Sequence, residues 1–359
     1  MDPEGQRLLQ RLPDWLPQAA APAVLVTVWA VEGSAPRQVG ARMLTRDGRL
    51  LAGTIGGGHL EAQALHDALL VLGHVRGGQD ADAPPQLSDA AEERADAQGQ
   101  LARVCRYPLG AQLAQCCGGV VQLHFQAVDP QRARQLAADV TQAQLALAPF
   151  ETRFGDTVLR ELPQPQPTVL LFGAGHVAAA LAKVLQTLPW RVVVIDARPE
   201  WADALRFPRT TEVLCTEPRR LCAAWGWLGP AAQQSQTAAR LTAQLRTLPE
   251  LPQPQVTSAI VMTHDHALDR EICEALLQVS RRTPGPSLRY VGMIGSQSKV
   301  AALHQRLRRR GVDPALLAEL VAPIGLRVGG RLLGGKLPGE IAVSVAAQLL
   351  SLELPGGAR

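Results

Sequence analysis

Nine consecutive residues, Ala23–Val31 (AVLVTVWAV), are almost all apolar, and the pattern predicts a buried strand. GSAPR at 33–37 reads as a turn. Arg42–Thr45 and Arg49–Gly53 flank Asp47-Gly48, the dipeptide that most strongly signals a two-residue hairpin. After Gly56-Gly57-Gly58, apolar residues at Leu60, Ala64, Ala68 and Val71 recur near helical spacing, which predicts a helix from about His59 to Leu72. Residues 76–100 hold almost no large apolar residue and read as an exposed, mobile loop. Val120–Phe125 is a second strand, and a helix is expected over about 130–147.

From Thr168 the pattern changes. VLLFG (169–173) is wholly apolar, as in a parallel sheet covered on both faces. A helix at Ala174–Leu188 and strands at 191–196, 212–215, 259–263 and 289–295 continue an alternation of strand and helix, ending in a helix at about Pro338–Leu352. Residues 217–256 read as an insertion. The expected fold is α/β: an N-terminal α+β or α/β domain over 1–150, then a Rossmann-like, doubly wound parallel-sheet domain over 168–359. The connection is 151–167, stiffened by PQPQP at 163–167.

The chain has 359 residues, enough for two domains, and 47% hydrophobic residues, a globular proportion. The apolar run at 23–31 is too short to span a bilayer. The opening MDPEGQRLLQRLPDWLPQ lacks a signal peptide's apolar region, so a cytoplasmic protein is expected, with no membrane association. Six cysteines with no CxxC pair speak against a disulfide framework and against structural zinc. A net charge of +4, with RLRRR at 306–310 as the densest basic run, suits a helix end better than a nucleic-acid face. Of 36 basic residues only Lys183, Lys299 and Lys336 are lysines.

Several segments carry chemistry. Gly173-Ala-Gly175-His176-Val-Ala178 reads G-x-G-x-x-A between a strand and a helix, with Asp196 about 20 residues on, at the end of the next strand. A diphosphate at Gly175 and ribose hydroxyls on Asp196 would suit it. Gly330–Lys336 (GRLLGGK) imitates the start of a P-loop, but Leu337 stands where the magnesium-binding hydroxyl belongs and Pro338 follows. Gly295-Ser296 with Lys299 one turn on offers a second anion cradle; solvated positions are the alternative. His264-Asp265-His266 either supplies two metal ligands or caps the next helix, the latter being the commoner arrangement. Gly56-Gly57-Gly58-His59 enters a helix and can hold a phosphate on its N–H groups, or it is a packed turn. Cys116-Cys117-Gly118-Gly119 precedes a strand. A thiol there can face a ligand as a soft donor, or lie inert in the core. Parity with Val121 and Leu123 puts Cys117 inward and Cys116 outward.

Taken together, GSAPRQVGARML (33–44), GTIGGGHLEAQAL (53–65), QCCGGVVQLHF (115–125), VLLFGAGHVAAAL (169–181), VIDARPEW (194–201), VMTHDHALD (261–269), YVGMIGSQSK (290–299) and PGEIAVSVAAQLL (338–350) resemble the xanthine dehydrogenase accessory proteins of the XdhC/CoxI type. The resemblance implies a chaperone that binds the molybdenum cofactor (molybdopterin), protects it during sulfuration and delivers it to a xanthine dehydrogenase, without catalysis of its own. Its implied partners are that enzyme, a cysteine desulfurase as sulfur donor, and further copies of the chain. The residues singled out as cofactor contacts are Arg37, Gly56, Gly57, Gly58, His59, Cys116, Cys117, Gly118, Gly173, Gly175, His176, Asp196, His264, Gly295, Ser296 and Lys299, with Cys116 the candidate molybdenum or sulfur contact. Two alternatives stand beside this reading. One is an NAD(P)-dependent oxidoreductase with its nucleotide on the G-x-G loop, for which His264 is the one candidate acid–base. The other is an interaction module with an empty Rossmann shell.

Overall fold

The apolar run at 23–31 forms β1 (Ala23–Glu32), and both of its faces are covered. Successive side chains of a strand point to opposite faces. Val24, Val26 and Val28 therefore pack with Leu60, Ala64 and Ala68 of α3 (Gly58–Val71). Ala23 and Leu25 pack on the other side with Leu8 and Leu9 of α1 (Pro3–Gln10), Leu12 of α2 (Leu12–Trp15), and Leu136 and Val140 of α4 (Pro130–Leu145). β1 sits inside an antiparallel sheet of order β3-β2-β1-β6-β5-β4, with β2 at Arg42–Arg46, β3 at Arg49–Gly53, β4 at Asp89–Ala95, β5 at Leu101–Pro108 and β6 at Val120–Val128. The β2–β3 turn has Asp47 at φ +51° and Gly48 at φ +71°, the backbone that a two-residue hairpin needs.

The computed structural model describes residues 1–71, 89–95, 101–110, 118–224, 257–280 and 288–352. It divides into two compact units, Met1–Gln164 and Pro165–Arg359. Two segments differ from the expected pattern. Part of the loop expected at 76–100 is β4, an edge strand paired with β5, so backbone pairing overrides a charged sequence of low strand propensity. Residues 76–88 and 96–100 lie outside the described residues. The expected connection at 151–167 holds a hairpin of β7 (Phe150–Phe154) and β8 (Thr157–Glu161).

That hairpin carries Glu161, which forms a bidentate ion pair with Arg42 at the start of β2. Both side chains are buried, at 1% and 5% exposure. Arg42 Nη1 also donates to Gly40 O at 2.8 Å. Gly40, at φ +91°, has no room for a side chain, because a Cβ there would collide with Glu161 Oε1.

In the six-stranded sheet of the second unit all strand pairs are parallel, in the order β11-β10-β9-β12-β13-β14. These are β9 (Thr168–Phe172), β10 (Arg191–Asp196), β11 (Thr211–Cys215), β12 (Thr257–Val261), β13 (Tyr290–Met293) and β14 (Leu320–Val321). This is the doubly wound order in which strand succession reverses between β9 and β12. Leu170, Phe172, Val193 and Val261 face α7 (His266–Ser280) and α8 (Gln297–Arg309), with α9 (Pro314–Glu319) beside them. Val169, Leu171, Val194 and Ile260 face α5 (His176–Leu185) and α10 (Pro338–Ser351). The sixth strand, β14, has two residues, too few for any periodicity. The expected insertion at 217–256 begins with a packed helix, α6 (Pro218–Ala224), whose Leu221 is fully buried; residues 225–256 lie outside the described residues. As expected, the arginines near 306–309 fill the last turn of α8, and Pro338 opens α10. Among the described residues no helix is long and apolar enough to cross a membrane.

Truncating one member of a buried ion pair strands the other without compensation. Glu161→Ala is therefore expected to destabilise the first unit by about 3–5 kcal/mol, whereas the apolar pair Arg42→Met with Glu161→Leu recovers most of that loss. Urea unfolding midpoints of the three proteins check it.

Candidate functional site

In the first unit three glycine-containing segments meet at one end of the sheet. Gly56, at φ +127°, packs under Pro36: a Cβ there would lie 2.6 Å from the ring Cγ. Gly119 N–H donates to Ser34 O at 3.1 Å, and a Cβ on Gly119 would collide with that oxygen. Gly33, at φ +75°, lies against Gly119, whose Cα would be 3.4 Å from a Cβ on Gly33. The turn at 33–37, the glycine turn at 56–58 and the glycines after Cys117 thus form one cluster. Gly118 in this cluster is exposed, and a Cβ on it would meet nothing within 4 Å, so packing does not require glycine at that position.

The glycine turn itself is engaged. Glu61, one turn into α3, accepts through Oε1 from Ile55 N at 3.0 Å, from Gly57 N at 2.9 Å and from the Thr54 hydroxyl. Of the N–H groups expected to cradle a phosphate, that of Gly57 is held by Glu61 and that of Gly56 donates to the Thr54 hydroxyl at 3.1 Å. Burial opposes ionisation of Glu61, but the hydrogen bonds from Thr54 and the backbone outweigh it and hold its pKa below the usual carboxylate value. Arg37 is likewise paired, with Asp2 at 3.1 Å and Glu4 at 2.7 Å. His59 is exposed at the start of α3. Cys116 and Cys117 lie outside the described residues. Val121, Leu123 and Phe125 of β6 do face the core shared with α3.

In the second unit the turn after β9 is tight. Gly173 has φ +111°, and a Cβ there would lie 2.5 Å from Met262 O. Gly175 caps α5 and is open: a Cβ on it would meet nothing within 4 Å. Between them, both polar groups of Ala174 are fixed. Its N–H donates to Asp196 Oδ2 at 2.8 Å, and its carbonyl accepts from Arg206 Nη1 at 2.8 Å. Asp196 also accepts from Arg198 N at 3.0 Å, Nε at 2.9 Å and Nη2 at 2.8 Å. A carboxylate has about four lone-pair sites, and here each oxygen already takes two donors. The expected ribose acceptor is thus a latch on its own loop. Desolvation raises the pKa of Asp196, but the bonds from Arg198 and Ala174 more than offset it and hold the group below the usual range.

Trp201 stands beside this loop, with Arg206 4.5 Å and Arg198 4.9 Å from its ring centre and His176 edge-on at 5.6 Å. Arg198, Trp201 and Arg206 carry no signal of their own in the spacing, apart from two of them falling within the segment 194–201. Across the switch point, Asp265 caps α7 by accepting from Ala267 N at 2.7 Å, and Asp269 accepts from Thr263 N at 3.0 Å and Thr263 Oγ1 at 2.7 Å. His264 is exposed. Among the described residues no three of His, Cys, Asp and Glu stand together as a metal site. Ser296 caps α8, and Lys299 extends from its first turn.

Asp196→Asn removes acceptor capacity that four donors need, at an expected cost of about 1–3 kcal/mol. Because the folded pKa of Asp196 is depressed, its contribution is complete above the unfolded value of about 3.9 and is lost as pH falls through the folded value. Acid titration of thermal stability should therefore show a component below that pH in the wild-type protein that is missing in Asp196→Asn.

A model of the XdhC Rossmann domain matches residues 169–349, and a model of the XdhC and CoxI family matches residues 16–78. The chain is 24% identical over 344 residues to the uncharacterized protein YqeB of Escherichia coli K12, covering 95% of this chain and 46% of that protein. It is 24% identical over 187 residues to a probable xanthine dehydrogenase subunit of Bacillus subtilis 168, covering 52% of this chain and 43% of that protein. It thus spans less than half the length of these curated relatives. A crystal structure of a xanthine dehydrogenase from Bacillus halodurans superposes with a TM-score of 0.57 at 22% identity, over 98% of this chain and 96% of that one, a likeness of fold. The chain belongs to the XdhC and CoxI family, and its second half is an XdhC Rossmann domain.

Proposed function

We propose that this protein binds the molybdenum cofactor, shields it during sulfuration and hands it to a xanthine dehydrogenase, with no turnover of its own. The observation that carries the reading is the cluster in the first unit. The turns at 33–37 and 56–58 pack together beside Gly119, and Gly118, the residue after Cys117, has open space at it. A thiolate is a soft donor suited to molybdenum or to sulfur, and glycine beside it permits close approach. When bound, the cofactor supplies the molybdenum centre that the recipient enzyme needs. Cys116 or Cys117 would hold it, and Gly118 would leave it room. Glu61 and Thr54 take the N–H groups of Gly57 and Gly56, which weighs against seating the phosphate of the pterin on those two groups. Family membership supports a xanthine dehydrogenase as recipient, and a cysteine desulfurase as sulfur donor and self-association complete the proposed set of partners.

A nucleotide on the G-x-G loop is a second reading, favoured by the open position at Gly175. The saturated carboxylate of Asp196 weighs against it, because ribose would have to displace Arg198 or Ala174.

The test is retention of the cofactor by purified protein on an anaerobic desalting column, read as pterin fluorescence after oxidation and as molybdenum content. The wild-type protein is expected to retain both. Cys116→Ser is expected to lower the stoichiometry by about tenfold, while stability changes by about 1 kcal/mol, as for an ordinary near-isosteric substitution. Full retention in Cys116→Ser, in Cys117→Ser and in the double variant removes the thiols from the reading, and no retention by the wild-type protein removes the reading itself. Retention of NADH in place of the pterin favours the nucleotide.

A further inference from the structure

A cleft of about 150 Å³ lies in the second unit between α7 and α8, at the carboxyl ends of β12 and β13. Arg270 of α7 and Lys299 and Arg306 of α8 line it, and the sulfur-bearing Met293 and Leu303 form apolar wall. Lys299 and Arg306 stand seven residues apart on one helix, and Leu303 lies between them on the same face. Neighbouring arginines are neutralised: Arg310 pairs with Glu274 at 2.9 Å and Arg219 with Glu271 at 3.2 Å. None of the three lining cations has an ion-pair or side-chain hydrogen-bond partner among the described residues. Arg270 is half-buried, and its Nε, shielded from solvent, donates to nothing. The one carboxylate in the lining, Asp269, is turned to Thr263, from which it takes two hydrogen bonds.

We infer that this cleft is an oxyanion site that takes the phosphate of a phosphate monoester. Three cations, one of them with a buried and unused donor, have no ion-pair or side-chain hydrogen-bond partner among the described residues. Arginine and lysine together suit a phosphate, the first as a planar fork and the second as a point charge. The positive end of α8, capped by Ser296, adds to the same field. The volume sets the size of the group. Pockets that enclose a whole drug-sized ligand run to about 300–1,000 Å³, so this cleft holds a headgroup and leaves the esterified body outside or against Met293 and Leu303. The site is separate from the G-x-G loop, since neither Gly173–Gly175 nor Asp196 lines it. It does not depend on the cofactor reading, although the phosphate of the pterin and that of a nucleoside monophosphate share the required chemistry.

The experiment is titration calorimetry of the full chain with inorganic phosphate, with adenosine 5′-monophosphate, and with cofactor released anaerobically from a molybdoenzyme. The variants are Arg270→Gln and the exposed pair Lys299→Gln with Arg306→Gln; Lys183→Gln, on the exposed face of α5, removes a charge outside the cleft. Inorganic phosphate is expected to bind the wild-type protein and Lys183→Gln alike, to weaken about tenfold or more in the cleft variants, and to weaken with added salt. Tighter binding of the nucleotide or of the cofactor, lost in the same variants, supports the site and identifies which body it serves. Absence of phosphate binding, binding unchanged in the cleft variants, or an equal loss in Lys183→Gln overturns it. Loss of phosphate binding with cofactor retention intact upholds the site and leaves the thiol cluster to its own test.

Discussion

Carboxylates that fill the chain's own glycine turns organise both units. Glu61 closes the turn at 55–57, Asp196 clasps Ala174 between Gly173 and Gly175, and Glu340 accepts from Leu337 N at 3.2 Å beneath Gly334 and Gly335. Asp269 does the same for Thr263 after β12. Backbone N–H groups that no helix or sheet bond satisfies are costly to leave without partners. A side chain a few residues away, or on the next strand, satisfies them and holds the loop in one shape. The consequence for chemistry is direct. The turns at 55–57 and 173–175 already hold a carboxylate of the chain, and open binding capacity is left where no such carboxylate fills the space or answers the exposed donors.

Two places meet that description. One is the cluster around Gly118 in the first unit, where Gly56 packs on Pro36 and Gly119 on Ser34 while Gly118 is open. The other is the cleft between α7 and α8 in the second, where the cations have no internal partner among the described residues. The G-x-G loop stands between these cases: Gly175 is open, but Asp196 and Arg206 hold both sides of Ala174, and Trp201 stacks against the arginines. A loop so fixed is preorganised, and its acid is not available to a sugar.

The strands explain why chemistry sits at these ends. β1 and β9 are buried on both faces, so side chains within the sheets serve packing, and polar function is confined to the turns. Two exceptions among the described residues are Arg42–Glu161, a buried charge pair that ties the β7–β8 hairpin to β2, and Tyr107 of β5, whose hydroxyl donates to the buried Asp67 of α3.

Much of this was legible in the sequence. Unbroken apolar runs at 23–31 and 169–173 fix buried strands because every other residue must meet a different layer, and Asp47-Gly48 fixes its turn because both residues must take positive φ. The glycine segments also announced the ends of the sheets. What only the tertiary structure decided was which groups answer one another. β4 forms because β5 offers it hydrogen bonds, against its own charged composition. The connection at 151–167 folds because Glu161 meets Arg42, 119 residues away in sequence. Asp196 has the position of a ribose acceptor by spacing alone, but Arg198 lies within reach and takes its oxygens. Local pattern specifies where backbone is buried. The use of a polar group depends on which donors and acceptors the folded chain brings to it, two residues away for Asp196 and 119 for Glu161, and periodicity records neither.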